Sequence, residues 1–365
     1  MTISKLGDLI ELAKEPSSER RRELLREITD LFLAQSPAQL DPGQMALFDN
    51  IMGRISSEME EAVRAELSLK LAPSTFAPAG VLRDLAGDSI AVAGPVLRGS
   101  TVLSDNDLVE LAASHGQEHL RAMSQRAEIP VAVADAIVAH GDDATLDVLL
   151  RNAGAELSRE ASEAAVDRAH ANPALHEAVV ERESLPPDLL NEMYFIVESR
   201  LRETIMQRNA ELDPRELEAA LESGRKRLAS RDGAMPADYQ QAELAVRALA
   251  KSGGLTPTVL TSFLRKGDKT KFTIALAELA DIDFPTARRV LEGRLVDPLA
   301  IVCKAAGFDR ALFLTFVVLM LDREDDAMGR AQEYAKLYGD LTTEAASRAI
   351  RFWRLRRQSG DLAAA

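Results

Sequence analysis

Residues that start helices recur along this chain at a nearly constant interval, and that periodicity limits the fold more than any composition figure. Pro78, Ser104, Pro130, Ser158 and Pro186 stand 26, 26, 28 and 28 residues apart. Serine favours the N-cap because its hydroxyl accepts a bond from an orphan amide, and proline favours the first turn because it has no amide to satisfy. Leu103, Ile129, Leu157 and Leu185 directly precede the last four starts, and Leu97, Met123, Leu150 and Val179 fall six or seven residues earlier, where the preceding helix ends. Each unit therefore reads as two short helices. Such a unit cannot bury its apolar face alone, so neighbours stack on a continuous core. The period is shorter than that of tetratricopeptide or ankyrin repeats. The expected fold is all-α, a HEAT-like helical repeat (α-solenoid) in two arrays joined by longer connector helices.

The first, acidic array spans residues 73–199. A second, at 254–321, resumes the pattern: Pro257 and Pro285 are 28 apart, Phe263 matches Leu291, and Phe272, Ala275 and Leu279 match Leu299, Val302 and Ala306 at 27. Between them, at 200–253, the register is lost. One connector helix starts at Asp213-Pro214, carries Leu217, Leu221 and Leu228, and stops at Gly233; the next runs from about Asp238 to Gly253-Gly254. Residues 1–72 form an N-terminal helical segment, with helical spacing in Leu6, Leu9, Ile10 and Ala13, in Leu24, Ile28 and Leu31, and in Val63, Leu67 and Leu71. Asp41-Pro42 opens another helix there, carrying Met45, Phe48 and Ile51. The run ALFLTFVVLML at 311–321 is too short to span a bilayer, which takes about 20 residues, and reads as a fully buried helix. Residues 322–365 supply C-terminal helices.

Composition agrees with helices. The chain of 365 residues is 46% hydrophobic but only 4% aromatic, so Ala, Leu and Val must fill the core. The net charge of −14 opposes attraction to nucleic acid or anionic membranes, yet it is unevenly spread. Residues 1–72 carry net −4, residues 73–199 carry 8 basic against 21 acidic side chains, and residues 200–365 carry net +3. Cys303 is the single cysteine, which excludes an intrachain disulfide and fits a reducing compartment. Lys5, Asp8 and Glu11 interrupt the first residues, so no secretory signal is expected and the location is read as cytoplasmic.

Chemical motifs are few. His115-Gly116-Gln117-Glu118-His119 matches H-x-x-E-H, in which two histidines on one helix hold zinc and the glutamate activates water. Gly116, however, falls where the repeat places a break between helices. His140, His170 and His176 sit at expected helix ends, and Cys303 occupies the position of Leu276 in the previous unit, a core position. Asp322, Glu324, Asp325 and Asp326 lack the alternation of a calcium loop, and Gly267-Asp268-Lys269-Thr270 lacks the upstream glycine of a phosphate loop. No catalytic residue, cofactor or metal is assigned.

What remains is surface. Asp105, Asp107, Glu110, Asp142 and Asp143, at turns of the acidic array, are the expected contacts for a basic protein partner. Arg265, Lys266, Lys269 and Lys271 surround a turn between short helices, followed one unit later by Arg288, Arg289 and Arg294, and resemble in charge a helix-turn-helix surface. Arg348, Arg351 and Arg354 form a stripe on the terminal helix beside Phe352 and Trp353, with Arg356 and Arg357 beyond. These basic clusters could meet an acidic partner, nucleic acid as the alternative, or dock on the acidic array. The apolar, Arg-rich stretch 346–355 also suits a homodimer.

The order of segments resembles a bacterial family known only as a domain of unknown function, common in alphaproteobacteria. LLREITDLFL (24–33), MALFDNIM (45–52), VRAELSLKLA (63–72), IAVAGPVLRGS (90–100), GQEHLRAMSQR (116–126) and PLAIVCKAAGF (298–308) carry the resemblance. It implies an all-helical cytoplasmic protein and brings no catalytic residues. The function expected is a non-catalytic intracellular scaffold or regulator that presents an extended helical surface to a protein partner.

Overall fold

The computed structural model describes residues 17–35, 40–211, 234–321, 330–347, 349, 350 and 353. Among them the regular structure is helical and no β-strand occurs; one parallel bridge joins Ile129 and Ala155. The chain divides into two units, Met1–Glu183 and Ser184–Ala365.

In unit 1 the helices are α1 (Ser18–Leu33), α2 (Pro42–Ser57), α3 (Glu61–Leu71), α4 (Ala79–Ala86), α5 (Ile90–Gly99), α6 (Asp105–Ser114), α7 (Gln117–Met123), α8 (Val131–His140), α9 (Asp143–Arg151), α10 (Arg159–Ala171) and α11 (His176–Glu181), the last preceded by a 3-10 turn. Pro78, Ser104, Pro130 and Ser158 are the N-caps of α4, α6, α8 and α10. Most helices pack on the helix two places along: α1, α3, α5, α7, α9 and α11 form one succession, while α2 meets α4, and α6, α8 and α10 form another. This is the two-layer stack that the repeat demands. It takes in α1–α3 as well, so the N-terminal segment joins the array through α3 on α5.

The buried side chains follow the repeat. Leu97, Met123, Leu150 and Val179 are buried, as are Leu103 and Ile129. Leu157 departs from the pattern, being half-buried, and Ala155 occupies the core there because the bridge to Ile129 turns it inward. The Ile129 amide donates to Gly154 O and the Glu156 amide to Ile129 O, both at 2.9 Å. This brings the backbone so close that a Cβ on Gly154 would stand 1.9 Å from Ala127 O.

Unit 2 contains α12 (Pro187–Met193), α13 (Ser199–Glu211), α14 (Tyr239–Lys251), α15 (Pro257–Arg265), α16 (Lys269–Ala280), α17 (Phe284–Glu292), α18 (Val296–Ala305), α19 (Arg310–Met320) and α20 (Ala331–Asp340). Pro186 is the N-cap of α12, the fifth predicted start. Helix α16 is the hub and touches α14, α15, α17 and α18, which is why Phe272 through Ala277 are all buried. Phe272, Ala275, Leu299 and Val302 are core residues in the expected register.

Of the helices expected at 200–253, α13 packs on α12 and α14 on α16, and the expected helix from Asp213 to Gly233 lies outside the described residues. One expectation changes. The apolar run at 311–321 is not fully buried. Helix α19 packs on α15, α18 and α20 through Phe313, Phe316 and Val317, while Val318 and Leu319 are 38% and 40% exposed. Three neighbours cover one side of a helix that is apolar all round.

Candidate functional site

The five acidic candidates divide by role. Asp107 is the third residue of α6 and closes a capping box: its carboxylate accepts from the Ser104 amide at 2.9 Å and the Ser104 hydroxyl accepts from the Asp107 amide at 3.2 Å. It also lies 3.1 Å from Arg83 Nε. Partial burial works against its charge, but the Ser104 bonds and Arg83 hold its pKa below the usual carboxylate range. Asp142 caps α9 by accepting from the Thr145 amide at 2.7 Å and faces Arg121 at 3.8 Å. Asp143 accepts from Asn172 Nδ2 at 2.7 Å and pairs with Arg168 in the next unit. The bond from Asn172, then Arg168, lowers its pKa. These three carboxylates hold the stack together. Asp105 and Glu110 are exposed on α6.

The turns are further joined by side chains that donate to backbone carbonyls of the preceding unit. Arg126 reaches Leu97 O and Ser100 O at 2.8 and 2.7 Å; Asn152 Nδ2 reaches Ser124 O and Arg126 O at 2.8 and 2.7 Å. Arg182 reaches Leu150 O at 3.0 Å, Asn152 O at 3.2 Å and Ala155 O. Carbonyls at a helix C-terminus have no partner within the helix, so a cation or amide from the next repeat satisfies them. Burial lowers the pKa of both arginines. No capping or charge motif in the sequence announces this ladder. Its signal was the donor side chain that follows the second helix of successive units, at 126, 152 and 182.

His115 and His119 belong to the other ends of these helices. His115 is the C-cap of α6 and His119 lies in α7, so they do not share a helix. Their rings stand 4.9 Å apart, and the two Nε2 atoms lie 3.2 Å from Gly87 O and 2.8 Å from Asp88 O. Gln117 between them bonds His140 O and the Asp142 amide. The segment that matches H-x-x-E-H thus ties one turn to its neighbours. Among the described residues no group of three or more His, Cys, Asp or Glu is placed to hold a metal ion. His176 is buried, with Nε2 3.1 Å from Ala169 O.

In unit 2, Arg265, Lys266 and Lys269 are exposed around the α15–α16 turn, where Gly267 has φ +73, while Lys271 is paired with Asp268 at 2.6 Å. Helix α16 would be the reading helix of a helix-turn-helix, but Phe272 to Ala277 in its middle are all buried against neighbouring helices. Arg348, Arg351 and Arg354 lie outside the described residues, as do the carboxylates at 322–326. Ala349, Ile350 and Trp353 from the same stretch are buried, and the Trp353 ring lies 5.5 Å from both Tyr194 and Phe195. Cys303 is buried, and burial pushes its thiol pKa up.

No helix among the described residues is long and apolar enough to cross a membrane. Searches of curated proteins and of solved structures found no match. A family model covers residues 92–351, from within α5 to the terminal stretch, and so takes in most of the repeat units and nearly all of unit 2. The chain therefore belongs to the family described as an uncharacterised protein conserved in bacteria (DUF2336).

Proposed function

We propose that this chain is a non-catalytic, intracellular interaction scaffold of HEAT-like type that presents unit 1 to a basic segment of a protein partner. One observation carries the reading. Of the arginines available to residues 73–199 to offset 21 acidic side chains, Arg83, Arg121 and Arg168 are engaged with helix-start aspartates, and Arg126 and Arg182 donate to backbone carbonyls. The acidic excess is therefore left on outward-facing residues such as Asp105, Glu110, Glu118, Glu128 and Glu156, all exposed. A rigid stack with one sign of charge attracts a basic partner at long range and is weakened by salt.

The test pairs crosslinked capture from a native bacterial extract with the charge reversal Asp105→Lys/Glu110→Lys. A specific partner that is lost at high salt and lost with the reversed charges supports the reading. Binding that survives the reversal in purified components ends it. A nucleic-acid contact through Arg265, Lys266 and Lys269 is the weaker reading, because α16 is not available to enter a groove; absence of a gel shift at low salt removes it.

A further inference from the structure

Helix α19 reads RALFLTFVVLM, with only Arg310 and Thr315 outside its apolar set, and Phe313, Phe316 and Val317 turn one side of it into the core. The opposite side is apolar as well. Ala311, Leu314, Val318 and Leu321 recur at i, i+3, i+7 and i+10, which sets them along one stripe. Ala311, Val318 and the adjacent Leu319 are exposed, and Leu314 and Leu321 are half-buried. A helix with two apolar sides and neighbours on one of them presents the other to a partner.

The charge of that partner follows from the α15–α16 turn. Helix α15 packs on α19, and the Phe272 ring in the first turn of α16 meets Phe316 at 5.1 Å, so the turn lies beside α19 at the level of Phe316, two residues from Val318. Arg265, Lys266 and Lys269 are exposed there, and none of them is paired with a carboxylate among the described residues. The one carboxylate of the turn, Asp268, is taken up by the Lys271 ammonium at 2.6 Å and by the Lys271 amide at 3.3 Å. Lys269 is the first residue of α16, where the helix dipole is already positive, so the fold gains nothing from a cation at that place. An anionic group brought by a partner offsets it.

We propose that α19 and the α15–α16 turn form a docking surface for an acidic amphipathic helix of a protein partner, its apolar side laid along Ala311, Leu314 and Val318 and its carboxylates set against Arg265, Lys266 and Lys269. An apolar stripe beside a row of cations matches such a helix better than nucleic acid, which offers phosphates but no apolar face. The surface lies within unit 2 and is independent of the scaffold reading of unit 1.

Fluorescence anisotropy of the full chain with a labelled helical peptide of about four turns, leucine along one face and glutamate elsewhere, tests it. The comparison probes are the same peptide with glutamine for glutamate, a scrambled peptide whose leucines share no face, duplex DNA and phosphatidylglycerol vesicles. Saturable, salt-sensitive binding of the acidic amphipathic peptide is expected, tighter than that of either other peptide by about tenfold or more. Val318→Asp/Leu319→Asp and Arg265→Glu/Lys266→Glu/Lys269→Glu should each weaken it by about tenfold or more without lowering the melting temperature, since all five side chains are exposed. Leu244→Asp, which puts a carboxylate on an exposed apolar position of α14, should leave binding unchanged. Absence of saturable peptide binding, equal binding of the scrambled or the glutamine peptide, an equal loss from Leu244→Asp, or tighter binding of the DNA or the vesicles would each overturn the proposal.

Discussion

Residues 77–183 contain no Phe, Tyr or Trp, whereas residues 184–365 contain thirteen. The two regions are both helical and solve the same packing problem with different chemistry. In the first, short helices bury Ala, Val, Leu and Ile, and the joins between units are polar: capping aspartates, arginines on carbonyls, and the side chains of His115, Gln117 and His119 on neighbouring turns. In the second, aromatic rings meet around the hub and the helices beside it. Phe272 and Phe316 lie 5.1 Å apart edge to face, and Phe313 stacks on Tyr338 at 4.5 Å. Small side chains let helices stack at a constant step, which a repeat requires; large rings fill irregular gaps between helices of differing direction and length, which a repeat does not have.

If that contrast is correct, the largest single loss belongs to the aromatic core. Phe272→Ala should cost about 3–5 kcal/mol, read as a lower urea midpoint by the fluorescence of Trp353, the only tryptophan. A smaller effect than from any leucine in α6 to α10 would break the comparison. In the repeat region the most sensitive position should be backbone rather than side chain. Gly154→Ala places Cβ against Ala127 O, an atom that cannot swing aside, and should cost about 2–3 kcal/mol, with faster amide exchange at Ile129 and Glu156.

Arg182→Met keeps the side-chain length but leaves three carbonyls of the preceding unit without their donor, for a loss of about 1–3 kcal/mol. Local amide exchange around α9 and α11 checks this; an unchanged rate would reduce the polar ladder to decoration. Removing a single cap by Ser158→Ala should cost about 1 kcal/mol, measured in the same way on α10.

Acid should act in the same direction and more gradually. Asp88 is held low by its hydrogen bond from Arg64, and Asp107, Asp142 and Asp143 are lowered as well. A carboxylate whose folded pKa lies below its unfolded value contributes stability that is present above the unfolded value, about 3.9 for Asp, and lost as pH falls through the folded one. Urea midpoints of the repeat region should therefore decline below about pH 4. No decline would mean that these pairs are too solvated to matter.

Much of the fold was legible in the sequence because capping and burial are local demands. Pro78, Ser104, Pro130, Ser158 and Pro186 start helices wherever the chain goes, and apolar residues at a matched offset must be buried for the units to stack. Little of the candidate sites was legible. That Asp107 and Asp142 are capping groups while Asp105 and Glu110 face solvent depends on which side of α6 or α9 meets a neighbour. In unit 2 Arg202 pairs with Asp297, 95 residues away, and no spacing rule reaches so far. Likewise, the apolar residues at 311–321 specified a helix, but only the placement of α15, α18 and α20 decided that Val318 and Leu319 would stay in solvent. Helix boundaries and repeat length come from interactions within about four residues and from one shared core; pairing of charges and coverage of faces come from contacts between segments far apart, which the tertiary structure alone brings together.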